Sequence, residues 1–277
     1  MYHITVRKHA GKLYFKDGGS WGSRNKSTIW IITEADKIYN WPDFPEIVVN
    51  TGDVGIDKYY AYSQINSYDK VVPEFSFHAW PEVRIHDYTE TVNEIDKFGM
   101  QPYITHKVGW IGNLETNHMR KRLYELGQSH KDIMDIIDMA WTNNHDVGRF
   151  PNRTIILNYT TYMSLPELVS QYSILIDIEG IGYSARLKYL LWSHRPVIIV
   201  DRPHKEYFFE YLQPWIHYIP VKRDLSDLVE NTRWIMDNYD KALEIAHNAY
   251  NFSKEYLTRE TCYKQWNKVI QELITNK

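Results

Sequence analysis

The chain has 277 residues, a formal net charge of −3 and one cysteine, Cys262. That length suits one large domain or two medium ones. The charge balance argues against a nucleic-acid-binding protein, and a lone cysteine excludes an internal disulfide. The first residues lack the apolar stretch of a signal peptide, and no run approaches the ~20 apolar residues of a membrane span, so a cytoplasmic protein is expected. Twenty-two tyrosines and ten tryptophans suit both core packing and the faces of sugars.

In chain order, residues 1–20 read as a hairpin. Residues 26–39 have mixed apolar spacing, strand first and helix after. The β-branched run Ile47-Val48-Val49 is a short strand, and Thr51-Gly52-Asp53 is the turn at its end. Residues 71–77 read as a strand, and residues 82–97 as a polar stretch with a short helix. A strand over 107–112 ends in Gly112, and Asn117 caps a basic amphipathic helix reaching about Gly127. Residues 131–140 are a second helical candidate. Ser164, Pro166 and Glu167 spell a helix start. Helices and strands then alternate up to the capped helix opened by Asp224 and Asp227, which implies a parallel sheet with right-handed crossovers. Residues 239–275 read as helical, with a break near Ser253. The pattern gives two α/β halves divided just after Pro102, with the cleft between them as the expected ligand site.

The segment with the most chemistry is Asp177-Ile-Glu179-Gly180-Ile-Gly182-Tyr183-Ser184-Ala-Arg186. Gly180 and Gly182 follow an apolar strand and precede a helical pattern. Backbone N–H groups at such a helix start, aided by its dipole, favour a phosphate. Ser184 offers a hydroxyl, and Arg186 offers charge-assisted bonds to phosphate oxygens. Ala185 stands where a dinucleotide fingerprint needs its third glycine, and a P-loop ending is missing. A plain strand-to-helix turn with a surface arginine fits the same residues. Likewise, Asp53 beside a glycine is also an ordinary turn aspartate.

This segment, continued through Glu206-Tyr-Phe-Phe209, Leu212-Gln-Pro-Trp-Ile-His-Tyr-Ile-Pro-Val-Lys222 and Asp224-Leu-Ser-Asp-Leu228, resembles glycosyltransferase family 90. A weaker match covers residues 50–77 and 110–120. The resemblance implies a GT-B fold of two Rossmann-like domains facing a central cleft. Residues 1–104 would bind the acceptor and 105–255 the nucleotide sugar, and a C-terminal helix over 256–277 would pack back on the first domain. It implies inverting, metal-independent transfer from a UDP-sugar, xylose ahead of glucose, to a hydroxyl of a glycan, with no cofactor. In the family's Asn-x-x-Asp stretch the matching base is Asp53 of Asn50-Thr51-Gly52-Asp53. One carboxylate at a strand end is what deprotonation of an attacking hydroxyl requires.

On the donor side the resemblance implies roles for Trp110 and Gly112, and for Gly180, Gly182, Tyr183, Ser184 and Arg186. Glu179 or Asp177 would bind ribose hydroxyls. Ile111 and Leu114 stand where many members carry arginine, and Arg120 would take over that contact. Trp80 and neighbouring aromatic residues would face the acceptor. Two other readings remain open: a non-catalytic nucleotide- or sugar-binding relative, and a metal-dependent transferase using Asp177 and Glu179. The sequence leaves the oligomeric state unassigned.

Overall fold

The computed structural model describes residues 2–139 and 163–275. Strands β1 (His3–His9) and β2 (Lys12–Asp17) form the expected hairpin around Ala10 and Gly11, both at positive φ. Helix α1 (Arg24–Tyr39) is helical throughout, with no initial strand. Burial of Ile31, Ile32 and Ala35 on one face outweighs the β-branched composition that suggested a strand. Asn40 ends the helix in the left-handed region, its N–H bonded to the Asp36 carbonyl. Strand β3 (Phe44–Asn50) then pairs antiparallel with β1 and parallel with β4 (Tyr60–Ala61).

This four-stranded sheet has the order β2-β1-β3-β4. Its antiparallel centre differs from the Rossmann-like sheet expected in the first hundred residues, because the opening hairpin sets β2 antiparallel to one side of β1, and α1 then brings the chain from β2 to β3, antiparallel on the other side. The expected strand over 71–77 is a single bridge at Val71 and a 3-10 turn over Phe75–Phe77. Asp87, whose side chain accepts from the Glu90 N–H, caps α2 (Tyr88–Gly99).

The second sheet is five-stranded and wholly parallel, in the order β11-β9-β8-β6-β7. Its strands are β6 (Thr105–Gly112), β7 (Met134–Asp138), β8 (Tyr172–Asp177), β9 (Val197–Val200) and β11 (Ile219–Val221). Every residue of β8 and β9 is buried, as in a parallel sheet covered on both faces. The expected helix over 131–140 does not form across its described residues, 131–139. Ile133, Ile136 and Ile137 fit either period, and pairing with β6 along Met134–Asp138 decides for a strand. Helix α3 (His118–Ser129) links β6 to β7, and α4 (Leu165–Gln171), opened by a Ser164/Glu167 capping box, leads into β8.

Between β8 and β9, α5 (Leu187–Leu190) is a single turn rather than the expected longer helix. His194 at positive φ, followed by Pro196, turns the chain into β9. After β9, strand β10 (His204–Lys205) pairs antiparallel with β5 (Gln64–Ile65), a two-stranded ribbon joining the early and late parts of the chain. Helices α6 (Leu228–Asp237), α7 (Tyr239–Tyr256) and α8 (Arg259–Thr275) complete the structure.

One apolar cluster lies on the far face of the parallel sheet, around Val108, Ile174, Ile198 and Leu228. The other runs between the sheets. It joins Ile4, Val49 and Phe77 to Leu175, Tyr189 and Trp266. Helix α8 packs on α1 and β3. Trp41 Nε1 donates to Asn267 Oδ1 at 2.8 Å, and Arg259 bonds the Phe77 carbonyl (3.1 Å) and Asp87 (2.7 Å). Among the described residues no helix is long and apolar enough to cross a membrane.

Candidate active site

In the parallel sheet the chain runs outward from β6 to β7, then returns to the other side of β6 for β8, β9 and β11. The order therefore reverses between β6 and β8. Ligands of open α/β sheets bind outside the strand C-termini at such a point. A cavity of about 370 Å³ opens there, within the size range of small-ligand sites. Its walls include Gly112 at the end of β6 with Asn113 and Thr116 beyond it, Gly180 to Arg186 except Gly182 after β8, and Arg24, Asp53 and Trp80 from the first hundred residues.

Asp53 lies on a turn held from several sides. Asn50 accepts from the Gly52 N–H (2.9 Å) through Oδ1 and donates to the Val54 carbonyl (2.7 Å) through Nδ2. Thr51 donates its hydroxyl to Asn25 Oδ1 at 2.6 Å. The Asp53 carboxylate is about one-third exposed, and its Oδ1 accepts from Arg24 Nη2 at 2.9 Å. Among the described residues its Oδ2 has no hydrogen-bond partner. Burial opposes the charge on Arg24, but Tyr183 and Asp53 beside it raise its pKa on balance.

Opposite stands the loop after β8. Asn117 caps α3 through its side-chain oxygen and donates its amide to the Gly180 carbonyl at 2.8 Å. Arg120 also binds this loop. Its guanidinium donates to the main-chain carbonyls of Glu179 (2.9 Å), Asn113 (3.2 Å) and Ile178 (3.4 Å). It thus ties the turn after β6 to the loop after β8. Desolvation, then the charge of Arg186, pull the Arg120 pKa down to about 9. Both guanidinium groups lie over the buried Trp110 ring, 5.4 Å away for Arg120 and 5.8 Å for Arg186.

The two sides touch through backbone. A Cβ at Gly182 would overlap the Asp53 carbonyl oxygen, so only glycine admits this approach. Tyr183 lines the cavity, yet its hydroxyl is buried with no hydrogen-bond partner among the described residues. Burial, then the charge of Glu74, push its pKa well up.

Of the candidate residues, Asp53, Gly112, Arg120, Gly180, Tyr183, Ser184 and Arg186 line the cavity. Trp110, Asp177, Glu179 and Gly182 stand behind its wall. Asp177 accepts from Ser184 Oγ (2.7 Å) and from Arg202 Nη1 (2.5 Å), so both its oxygens are engaged. Ser184 therefore gives its proton to Asp177 and not to the cavity. Glu179 binds His204 (3.1 Å) and Arg223 (3.0 Å). Burial works against its charge, and these partners outweigh burial to hold its pKa low. The single turn of α5 supplies little dipole, so an anion at this wall would rest on loop N–H groups and arginine side chains.

Sequence reasoning missed Arg24, Trp21, Glu82 and the apolar wall of Ile85, Met139, Met163 and Leu165. Glu82 accepts from the Ser23 N–H at 2.6 Å and from its hydroxyl at 3.1 Å, closing the rim at the start of α1. None of these residues stands near Asp53 or the 177–186 loop in sequence, so no local pattern marked them.

A family model described as "Glycosyl transferase family 90" matches residues 2–274. The chain is 27% identical over 289 residues to Protein O-glucosyltransferase 2 of Danio rerio, covering 98% of this chain and 54% of that protein. It is 30% identical over 159 residues to Uncharacterized protein 035R of Invertebrate iridescent virus 3, covering 55% of this chain and 14% of the other. The chain thus spans about half, or less, of the length of these relatives. A solved structure of Anabaena HepE in complex with UDP-glucose aligns with a TM-score of 0.38 at 11% identity, over 66% of this chain and 44% of the other. The match across nearly the whole sequence makes this chain a member of glycosyltransferase family 90.

Proposed function

We propose that the protein is an inverting, metal-independent glycosyltransferase that moves a sugar from a UDP-sugar to a hydroxyl of a glycan acceptor. The observation that carries this reading is the cavity itself. It sets the strand-end carboxylate Asp53 across from the glycine loop and Arg186 at the reversal point of a parallel sheet. The family's GT-B architecture is proposed with it, the early sheet forming the acceptor side and the parallel sheet the donor side. The resemblance favours UDP-xylose, whereas a relative named as an O-glucosyltransferase brings UDP-glucose forward. We place UDP-glucose first and UDP-xylose second.

In this mechanism Asp53 takes the acceptor proton as the hydroxyl oxygen bonds to the anomeric carbon. The bond from that carbon to the UDP oxygen breaks, and UDP leaves with the electron pair. Loop N–H groups and Arg186 stabilise the charge gathering on the diphosphate. Arg120 holds the loop that presents them. Trp21 and Trp80 supply ring faces for an acceptor sugar. A cation at Asp177 would have to displace Arg202 and Ser184 from its two oxygens, so that residue is poorly suited to hold a metal.

The test is UDP release from UDP-glucose, UDP-xylose, UDP-galactose and UDP-N-acetylglucosamine, each with and without EDTA, with water and with simple aryl glycosides as acceptors. Release from one donor, unchanged by EDTA and abolished in Asp53→Asn while UDP still binds, is the expected result. Full activity in Asp53→Asn would remove Asp53 as the base. UDP binding with no turnover of any donor would instead indicate a non-catalytic relative.

A further inference from the structure

We infer that Arg24 is the positioning residue of the base: it acts on transfer through Asp53, by fixing the carboxylate and the turn that carries it. The inference rests on the proposed transfer reaction. Arg24 is the first residue of α1, with a side chain only 11% exposed. A guanidinium that has lost most of its water needs partners to remain charged. Its partners form one short stretch of chain. Nη2 donates to Asp53 Oδ1 at 2.9 Å and Nη1 to the Thr51 carbonyl at 3.3 Å. The group lies 5.2 Å from the Phe75 ring centroid.

One rigid fork thus holds both the side chain of the base and the backbone two residues before it. A lysine ammonium keeps the charge but cannot reproduce this planar two-point grip. The grip leaves Asp53 Oδ2 without a hydrogen bond among the described residues, and that oxygen is then the one to receive the acceptor proton. The surroundings are fixed as well. The next residue, Asn25, accepts from the Thr51 hydroxyl and donates to the His3 and Gly19 carbonyls. Arg24 is therefore anchored by its own helix start to the turn it grips.

A misplaced base costs turnover more than it costs binding, by up to about 100-fold for a displacement near 1 Å. The experiment is steady-state UDP release from UDP-glucose and UDP-xylose, with UDP affinity by calorimetry and thermal melting as controls, for Arg24→Lys, Arg24→Met, Asp53→Asn and the double variant Arg24→Met/Asp53→Asn. The expected result is a fall in kcat of about 10- to 100-fold in Arg24→Met with UDP affinity within about twofold of the unmodified chain. Arg24→Lys should recover part of that loss, and Arg24→Met should add little to Asp53→Asn, because two residues acting as one unit are not additive.

Guanidinium added to Arg24→Ala should restore kcat in a saturable way, which a general folding defect would not allow. The inference is overturned if Arg24→Met turns over normally. It is also overturned if UDP affinity falls in step with kcat/KM, which would make Arg24 a donor contact, or if the full Arg24→Met loss persists on top of Asp53→Asn. No UDP release from the unmodified chain would overturn the transfer reading itself, and an active chain indifferent to Arg24 would overturn only the positioning role of that arginine.

Discussion

Asp53 and Gly182 are coupled more closely than their distance in sequence suggests. The Asp53 carbonyl occupies the space that a Gly182 side chain would need. Gly182→Ala must push the two turns apart. It should cost about 1–3 kcal/mol of stability, as overpacking usually does, and lower kcat more than UDP affinity. Normal kcat and an unchanged melting temperature would show that the contact is slack.

A second residue, Glu206, lies outside the cavity. It is buried, and among the described residues neither carboxylate oxygen has a hydrogen-bond partner. Burial raises its pKa from 4.5 to about 8, against the opposing pull of Arg202 and Lys188. The folded chain therefore holds this proton more tightly than the unfolded chain. Its stabilising contribution is complete below pH 4.5 and is lost as the pH rises through about 8. Melting temperatures should fall between about pH 4.5 and 8 and level off above, and Glu206→Gln, which cannot titrate, should flatten that fall. An equally steep fall in the variant would assign it to other groups.

Asp53 and Arg186 were legible in the sequence because each follows a recognisable apolar strand and stands beside or near glycine. Arg24 was not. Its partner lies 29 residues away, and nothing in a helix start specifies what an arginine there will meet across the fold.

At the level of elements, Asn117 does two tasks with one side chain. Its oxygen caps α3 by accepting from the Met119 N–H at 2.9 Å, while its amide holds the Gly180 carbonyl. Asn117→Asp keeps the cap and loses the second bond, and Asn117→Ala loses both. The alanine variant should be less stable by about 1 kcal/mol, whereas both variants should bind UDP more weakly if the loop after β8 holds the donor. Equal UDP affinity in all three forms would separate that loop from nucleotide binding.

The sequence marked this helix, its cap and the capping box of α4 correctly because caps are local chemistry. It failed at β7 and α5, where the local pattern was ambiguous and tertiary pairing decided. The isoleucines of β7 fit a helix face until β6 is placed beside them. The helical run after Arg186 stops after one turn because His194 and Pro196 must bring the chain back into the sheet.

Across the whole molecule, the two sheets are joined by buried polar contacts as well as by apolar packing. Lys188 of α5 pairs with Glu74 of the early part of the chain, and its ammonium also reaches Ser76 at 2.5 Å. Both side chains are almost fully excluded from water. Removing one member strands the other charge, so Lys188→Met should destabilise by about 3–5 kcal/mol. Replacing both by apolar residues of similar size should recover most of that loss, as measured by urea denaturation. A single variant as stable as the parent would mean that the stranded carboxylate finds water.

The parallel sheet was legible because alternating apolar strands and helices admit few other arrangements. The antiparallel early sheet and the shared core were not, since both depend on long-range pairing that periodicity does not encode.

Helix α8 is synthesised long after the elements it covers. Trp266 and Ile270 belong to the same apolar cluster as Ile4, Ile31 and Val49. As the polypeptide emerges from the ribosome, its first strands and α1 must wait, with apolar faces exposed, while the helices and strands from α2 to α7 are made. A nascent chain of this kind depends on whatever shields it in the interval, and the arrival of α8 is the point at which those faces close.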